Sequence, residues 1–152
     1  MIRLSRLTDY GIVVMSQMAM DAAAVRTAPD LARASGLPAP TVSKLLKLLG
    51  RAGLVESRRG VHGGYALARP LTEITAAEMI EALDGPVALT ACVEGSDSNC
   101  NVESLCPMRG GWDKINTAIR HALEEVSLAE LCAPMTFPEP SQLTAPAAAA
   151  QG

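Results

Sequence analysis

The chain has 152 residues, is 49% hydrophobic and contains only four aromatic side chains, Tyr10, Tyr65, Trp112 and Phe137. A core of this size must be built from Leu, Ile, Val, Met and Ala, which favours helices and excludes a large β-sandwich. The net charge of −3 hides an asymmetry: residues 1–70 hold ten Lys and Arg against four acids, residues 71–152 three against twelve, so only the first half suits a polyanion.

Met1 to Asp9 carries Arg3, Arg6 and Asp9 where a secretory signal needs an apolar run. The most apolar stretch, residues 12–25, is broken by Gln17 and Asp21 and is too short and polar to span a bilayer. The expectation is a cytoplasmic protein with no membrane partner, in which four cysteines serve as ligands or redox groups rather than disulfides.

Helical spacing of Tyr10, Val13, Val14, Gln17, Met18 and Asp21 predicts a first helix over residues 5–24. A short second helix follows over 27–35, with Thr27 as N-cap, Pro29 and Asp30 in its first turn and Gly36 as its stop. Pro38 and Pro40 open a third helix that ends at Gly53. Val42, Leu45, Leu46 and Leu49 form its apolar face, and Thr41, Ser43, Lys44, Lys47 and Arg51 the other. Residues 54–58 and 65–68 read as two strands of a hairpin around the turn Arg59-Gly60-Val61-His62-Gly63-Gly64. Thr75 opens another helix to Leu83, and residues 86–111 form a polar loop. A helix over 112–126 carries the stripe Trp112, Ile115, Ile119, Ala122, Leu123 and Val126, and residues 127–132 a short helical coda. Four prolines and an alanine run predict a disordered tail over 133–152.

Helix, short helix, tight turn, helix and hairpin is the order of a winged helix-turn-helix. The fold class is therefore mainly α: a winged helix-turn-helix over 1–70, followed over 71–132 by a loop and a long C-terminal helix. The third helix would enter the major groove of double-stranded DNA, presenting Thr41, Ser43, Lys44 and Lys47. Arg58, Arg59 and His62 at the hairpin tip form a second contact element, where glycines allow close backbone approach. Arg33 and Arg69, taken singly, read as ordinary solvated charges.

Cys92, Cys100 and Cys106 fall in one loop with spacing C-x7-C-x5-C. Spacing alone leaves an iron–sulfur cluster, zinc and a thiol switch open, although the tight C-x2-C knuckles of zinc ribbons are absent. Cys132 stands apart and reads as a bystander thiol. No paired carboxylates, phosphate loop or nucleophile–base arrangement asks for an enzyme.

The run Arg3-Leu4-Ser5-Arg6-Leu7-Thr8-Asp9-Tyr10, the segments Gly53-Leu54-Val55 and Arg59-Gly60-Val61-His62-Gly63-Gly64-Tyr65-Ala66-Leu67, and the three-cysteine loop together resemble the cluster-binding regulators that include IscR, NsrR and RirA. The likeness covers about residues 1–132 and is nearest to the branch regulating SUF-type iron–sulfur assembly genes. It implies a winged-helix homodimer bound to an operator, with the long C-terminal helix crossing to the partner. It also implies that Cys92, Cys100 and Cys106 hold a 2Fe–2S or 4Fe–4S cluster whose status alters DNA affinity. Some members carry a His three residues after the third cysteine; here that position is Arg109. Others use an Asp near the first helix, which makes Asp9 the candidate fourth ligand, beside the reading that it merely suits a helix N-terminus. His62, at the hairpin tip, and His121, on the long helix, are poorer candidates. The expected function is a repressor sensing cluster status; the alternatives are a nitric oxide or redox sensor and a cluster-carrying electron-transfer or assembly protein.

Overall fold

The computed structural model describes residues 4–91, 93, 106–108 and 110–132. Its elements, in chain order, are α1 (Arg6–Ala19), α2 (Ala28–Ser35), α3 (Ala39–Arg51), β1 (Val55–Arg58), β2 (Gly64–Leu67), a 3-10 turn (Leu71–Glu73), α4 (Ala76–Asp84), α5 (Gly111–Glu124) and α6 (Leu128–Cys132). Cys92, Cys100, Arg109 and the tail 133–152 lie outside the described residues.

Local chemistry sets most boundaries. Thr27 caps α2 by accepting the Asp30 amide at 3.2 Å, and Gly36 ends it in the left-handed region at φ 70°. Thr75 and Glu78 cap α4 reciprocally, the Thr75 hydroxyl accepting the Glu78 amide while Glu78 accepts the Thr75 amide. Ser127 and Glu130 repeat the device at α6.

Two predicted helices are shorter than their periodicity suggests. α1 ends at Ala19 rather than near residue 24, because the chain must be extended by Arg26, whose backbone bridges Tyr65 of β2 through bonds of 2.9 and 2.8 Å. Tertiary pairing there overrides the helix propensity of the alanine run. α5 ends at Glu124 rather than 126, because the next residues turn back to α4. The Val126 carbonyl accepts the Ala76 amide at 2.8 Å, and Ser127 bridges Thr75.

The core joins Val14, Met15 and Met18 of α1, Leu31 of α2 and Val42, Leu45, Leu46 and Leu49 of α3. Leu54, Val55, Leu71, Ile74, Met79, Leu83 and Leu128 complete it. Residues after 71 thus share the core of the residues before it, with α4 packed on both α1 and α3. The two strands are antiparallel, Val55 opposite Leu67 and Arg58 opposite Gly64.

The bridge to Arg26 leaves no room at Gly64, where a Cβ would stand 2.6 Å from the Arg26 carbonyl oxygen. Gly50, on α3, has nothing nearer than 3.9 Å. Gly64→Ala should therefore lose roughly 1–3 kcal/mol of stability. Gly50→Ala should gain about 1 kcal/mol from helix propensity alone. Denaturant unfolding of the two variants beside the parent checks both, and a neutral Gly64→Ala would contradict the bridge.

Candidate nucleic-acid interface and the cysteine loop

The α2–α3 corner is built by Ser35 and Gly36. Ser35 donates its hydroxyl to the Leu31 carbonyl at 2.6 Å and accepts the Leu37 amide at 3.3 Å, so the chain leaves α2 in a fixed direction. Pro40 occupies the first turn of α3, where its missing N–H is not needed. Val42, Leu45, Leu46 and Leu49 are all fully buried. A helix held on that side must turn the opposite side outward: Lys44, Lys47 and Arg51 are exposed, Thr41 and Ser43 half-buried.

Three of the described arginines are ion-paired. Arg33 pairs with Asp30 at 2.8 Å and Arg69 with Glu78 at 2.7 Å, while Arg120 pairs with Glu124 at 3.0 Å and Glu81 at 3.4 Å. Among the described residues, no carboxylate lies within ion-pair distance of Lys44, Lys47, Arg51, Arg58 or Arg59. Unpaired cations grouped on one helix face and one hairpin form an electrostatic footprint for a polyanion. Arg33 and Arg69, expected to be ordinary surface charges, form surface ion pairs.

The hairpin turn is closed by the Gly63 amide donating to the Gly60 carbonyl at 2.9 Å, with Gly60 at φ 119°. A Cβ at Gly63 would meet the Arg58 carbonyl oxygen at 2.5 Å. Arg58, Arg59 and His62 are exposed around the tip, and Val61 stands 99% exposed at it. Between hairpin and helix runs a cleft of about 320 Å³, lined by Lys47, Gly50 and Arg51 on one side and Val55, Ser57 and Tyr65 on the other. Arg51 was not among the sequence-predicted contacts, although its spacing from Lys44 and Lys47 places it on their face.

Two polar residues that no local pattern singled out tie down the chain around the cysteine loop. Asp84, the last residue of α4, accepts from the Ser5 amide at 2.9 Å, from Thr8 Oγ1 at 3.0 Å and from the Ser5 hydroxyl. Burial pushes its carboxyl up, but the Ser5 and Thr8 bonds outweigh this and hold it below the usual carboxylate range. Asn116, buried on α5, donates to the Val87 carbonyl at 2.8 Å and accepts the Leu89 amide at 3.1 Å. The segment entering the loop is thereby fixed to α1 at one point and to α5 at another.

Cys106 is half-buried just before α5. Asp9 is exposed on the first turn of α1 and lines an open hollow of about 640 Å³ with Leu4, Ser5, Arg6 and Asp84. Among the described residues no three His, Cys, Asp or Glu side chains converge on one point. His62 and His121 are both exposed, and His121 lies 3.2 Å from Glu124. Cys132 packs against the core, and burial pushes its thiol up, the direction that disfavours the reactive thiolate. No helix among the described residues is long and apolar enough to cross a membrane.

A helix-turn-helix followed by a glycine-built hairpin with a cationic outer face defines a winged-helix, DNA-binding transcription regulator. The chain belongs to the Rrf2 family, whose model, described as an iron-dependent transcriptional regulator, matches residues 4–134. A Mycobacterium tuberculosis relative named as an HTH-type transcriptional regulator is 34% identical over 130 residues, spanning 85% of this chain and 80% of that protein. The solved structure of CymR, the global cysteine regulator of B. subtilis, superposes with a TM-score of 0.64 at 28% identity, covering 87% of this chain and 97% of that one. That of T. potens IscR gives 0.58 at 26% identity, covering 86% and 85%.

Because the Asp84 carboxyl is depressed in the folded state, its contribution is present at neutral pH and is lost as pH falls through its lowered folded value. Asp84→Asn should cost about 1 kcal/mol at pH 7. The difference from the parent should shrink progressively as pH is lowered into the acid range, as read from urea unfolding over a pH series. A pH-independent difference would mean that the charge plays no part.

Proposed function

We propose that this regulator binds its operator as a homodimer and that an iron–sulfur cluster held by Cys92, Cys100 and Cys106 sets its affinity. In this reading residues 1–70 contact DNA through Thr41, Ser43, Lys44, Lys47, Arg58, Arg59 and His62, and residues 71–132 sense and dimerise. The observation that carries it is the three-cysteine loop in a chain whose family model is described as iron-dependent.

The donor set fits such a group chemically: three thiols gathered between residues 92 and 106 suit a soft iron–sulfur centre. Asp9 is a candidate fourth donor, since its carboxylate is exposed and no hydrogen bond or ion pair occupies it among the described residues. A bound cluster would supply a centre sensitive to oxidation, nitric oxide and iron supply. Ligation by the three thiolates would order the loop. The hydrogen bonds of Asp84 and Asn116 would link the loop to α1 and α5, and through them to the placement of the two recognition helices on half-sites about one helical turn apart. Dimerisation is supported by the α5 stripe, where Ile115 stays 45% exposed and Ala122 open to solvent. The regulated genes are those of SUF-type iron–sulfur assembly, under repression.

A second reading follows from the likeness to CymR: a regulator answering to a small effector or thiol chemistry without a cluster. Iron and acid-labile sulfide per chain, on protein purified without oxygen, separate the two. Stoichiometric iron and sulfide, lost in Cys92→Ser, Cys100→Ser and Cys106→Ser but kept in Cys132→Ser, is the expected result. Operator affinity should differ at least fivefold between cluster-bound and cluster-free protein. Absent iron would favour the second reading.

A further inference from the structure

The outward face of α3 has an unusual donor–acceptor balance. From Ala39 to Arg51 the helix contains no Asp, Glu, Asn, Gln or His. Its solvent side offers the ammonium groups of Lys44 and Lys47, the guanidinium of Arg51 and the half-buried hydroxyls of Thr41 and Ser43. An ammonium has three donors and no acceptor. Adenine, with an acceptor beside a donor on its major-groove edge, is matched by a side-chain amide, and cytosine, with a donor, by a carboxylate. α3 carries neither. Guanine, whose O6 and N7 are both acceptors, is the base that this face matches.

The two lysines are not equivalent. Lys47 lines the cleft between helix and hairpin, together with Arg51, Ser57 and Tyr65. A helix in the major groove with its hairpin reaching the next groove places a phosphate strand over that cleft. Lys47 and Arg51 are therefore phosphate contacts. Lys44 lies in the second turn of α3, outside the cleft, in the N-terminal half that reaches base edges in this class of fold. It is exposed and has no carboxylate to give up on binding.

We propose that Lys44 is the specificity-determining residue of the recognition helix and reads a guanine, so that each operator half-site carries a G·C pair opposite it. The inference rests on the DNA-binding reading of α3 and adds the base that it selects.

The test uses the full chain, purified without oxygen, and selection of binding sites from a random duplex pool. The parent should enrich a two-fold motif with an invariant guanine in each half. Lys44→Ala should lose the preference at that pair alone, with about tenfold weaker binding to the selected site and unchanged binding to sites altered there. Replacing that guanine by 7-deazaguanine, which removes N7, should weaken the parent severalfold and leave Lys44→Ala unaffected. Lys47→Ala and Arg51→Ala should weaken every sequence alike, each reducing the salt slope by about one. An enriched motif for which Lys44→Ala weakens all sequences alike would overturn the proposal while leaving the DNA-binding reading intact. Failure of the parent to enrich any sequence would remove both.

Discussion

The burial of Val42, Leu45, Leu46 and Leu49 beneath α3 is the contact on which the rest of the molecule depends. All four are fully enclosed by α1, α2, α4 and β1. Each is worth about 1.5–3 kcal/mol relative to an exposed side chain. On the outer side, Lys44, Lys47 and Arg51 repel one another at helical spacings, at a cost of about 0.2–0.5 kcal/mol per pair. Burial exceeds repulsion by about an order of magnitude, so the helix can carry an unneutralised cationic face without losing its seat. Stability alone gives no reason to leave those charges without partners, since nearby arginines such as Arg33 and Arg69 have found theirs.

The parts of this fold visible in the sequence are those specified by neighbours in the chain. Thr27 with Gly36, Pro40 with the buried stripe of α3, and Thr75 ahead of α4 each place a boundary through contacts within one helical turn. The hairpin follows equally from its glycines and flanking strands. The cationic interface was legible because helix periodicity separates Lys44 and Lys47 from the apolar residues beside them. Arg51 shares their face but gains its significance only from the cleft facing the hairpin, which no local pattern discloses.

The features that sequence reading missed are pairings between distant residues. Asp84 meets Ser5 across 79 positions, and Asn116 meets Val87 and Leu89 across 29 and 27. A lone aspartate at a helix end and a lone asparagine within a helix carry no periodic signal. The bridge between Arg26 and Tyr65 is similar, and it also shortened α1 against its own propensity. None of the three is announced by the periodicity of the element that it joins. The cysteine loop was read the other way round, from its residue types rather than from any pairing.

The Arg26 bridge has a mechanical consequence. Through this single bridge β2 is tied to the chain segment that leads directly into α2. The hairpin is thereby braced twice, by β1 packing on α3 and by the Arg26 bridge ahead of α2, like a jaw held at two points. Both braces lie within one subunit and resist a change in the spacing between α3 and the hairpin. In the proposed homodimer, adjustment to operators of different pitch or curvature would then fall chiefly to the joint between the halves.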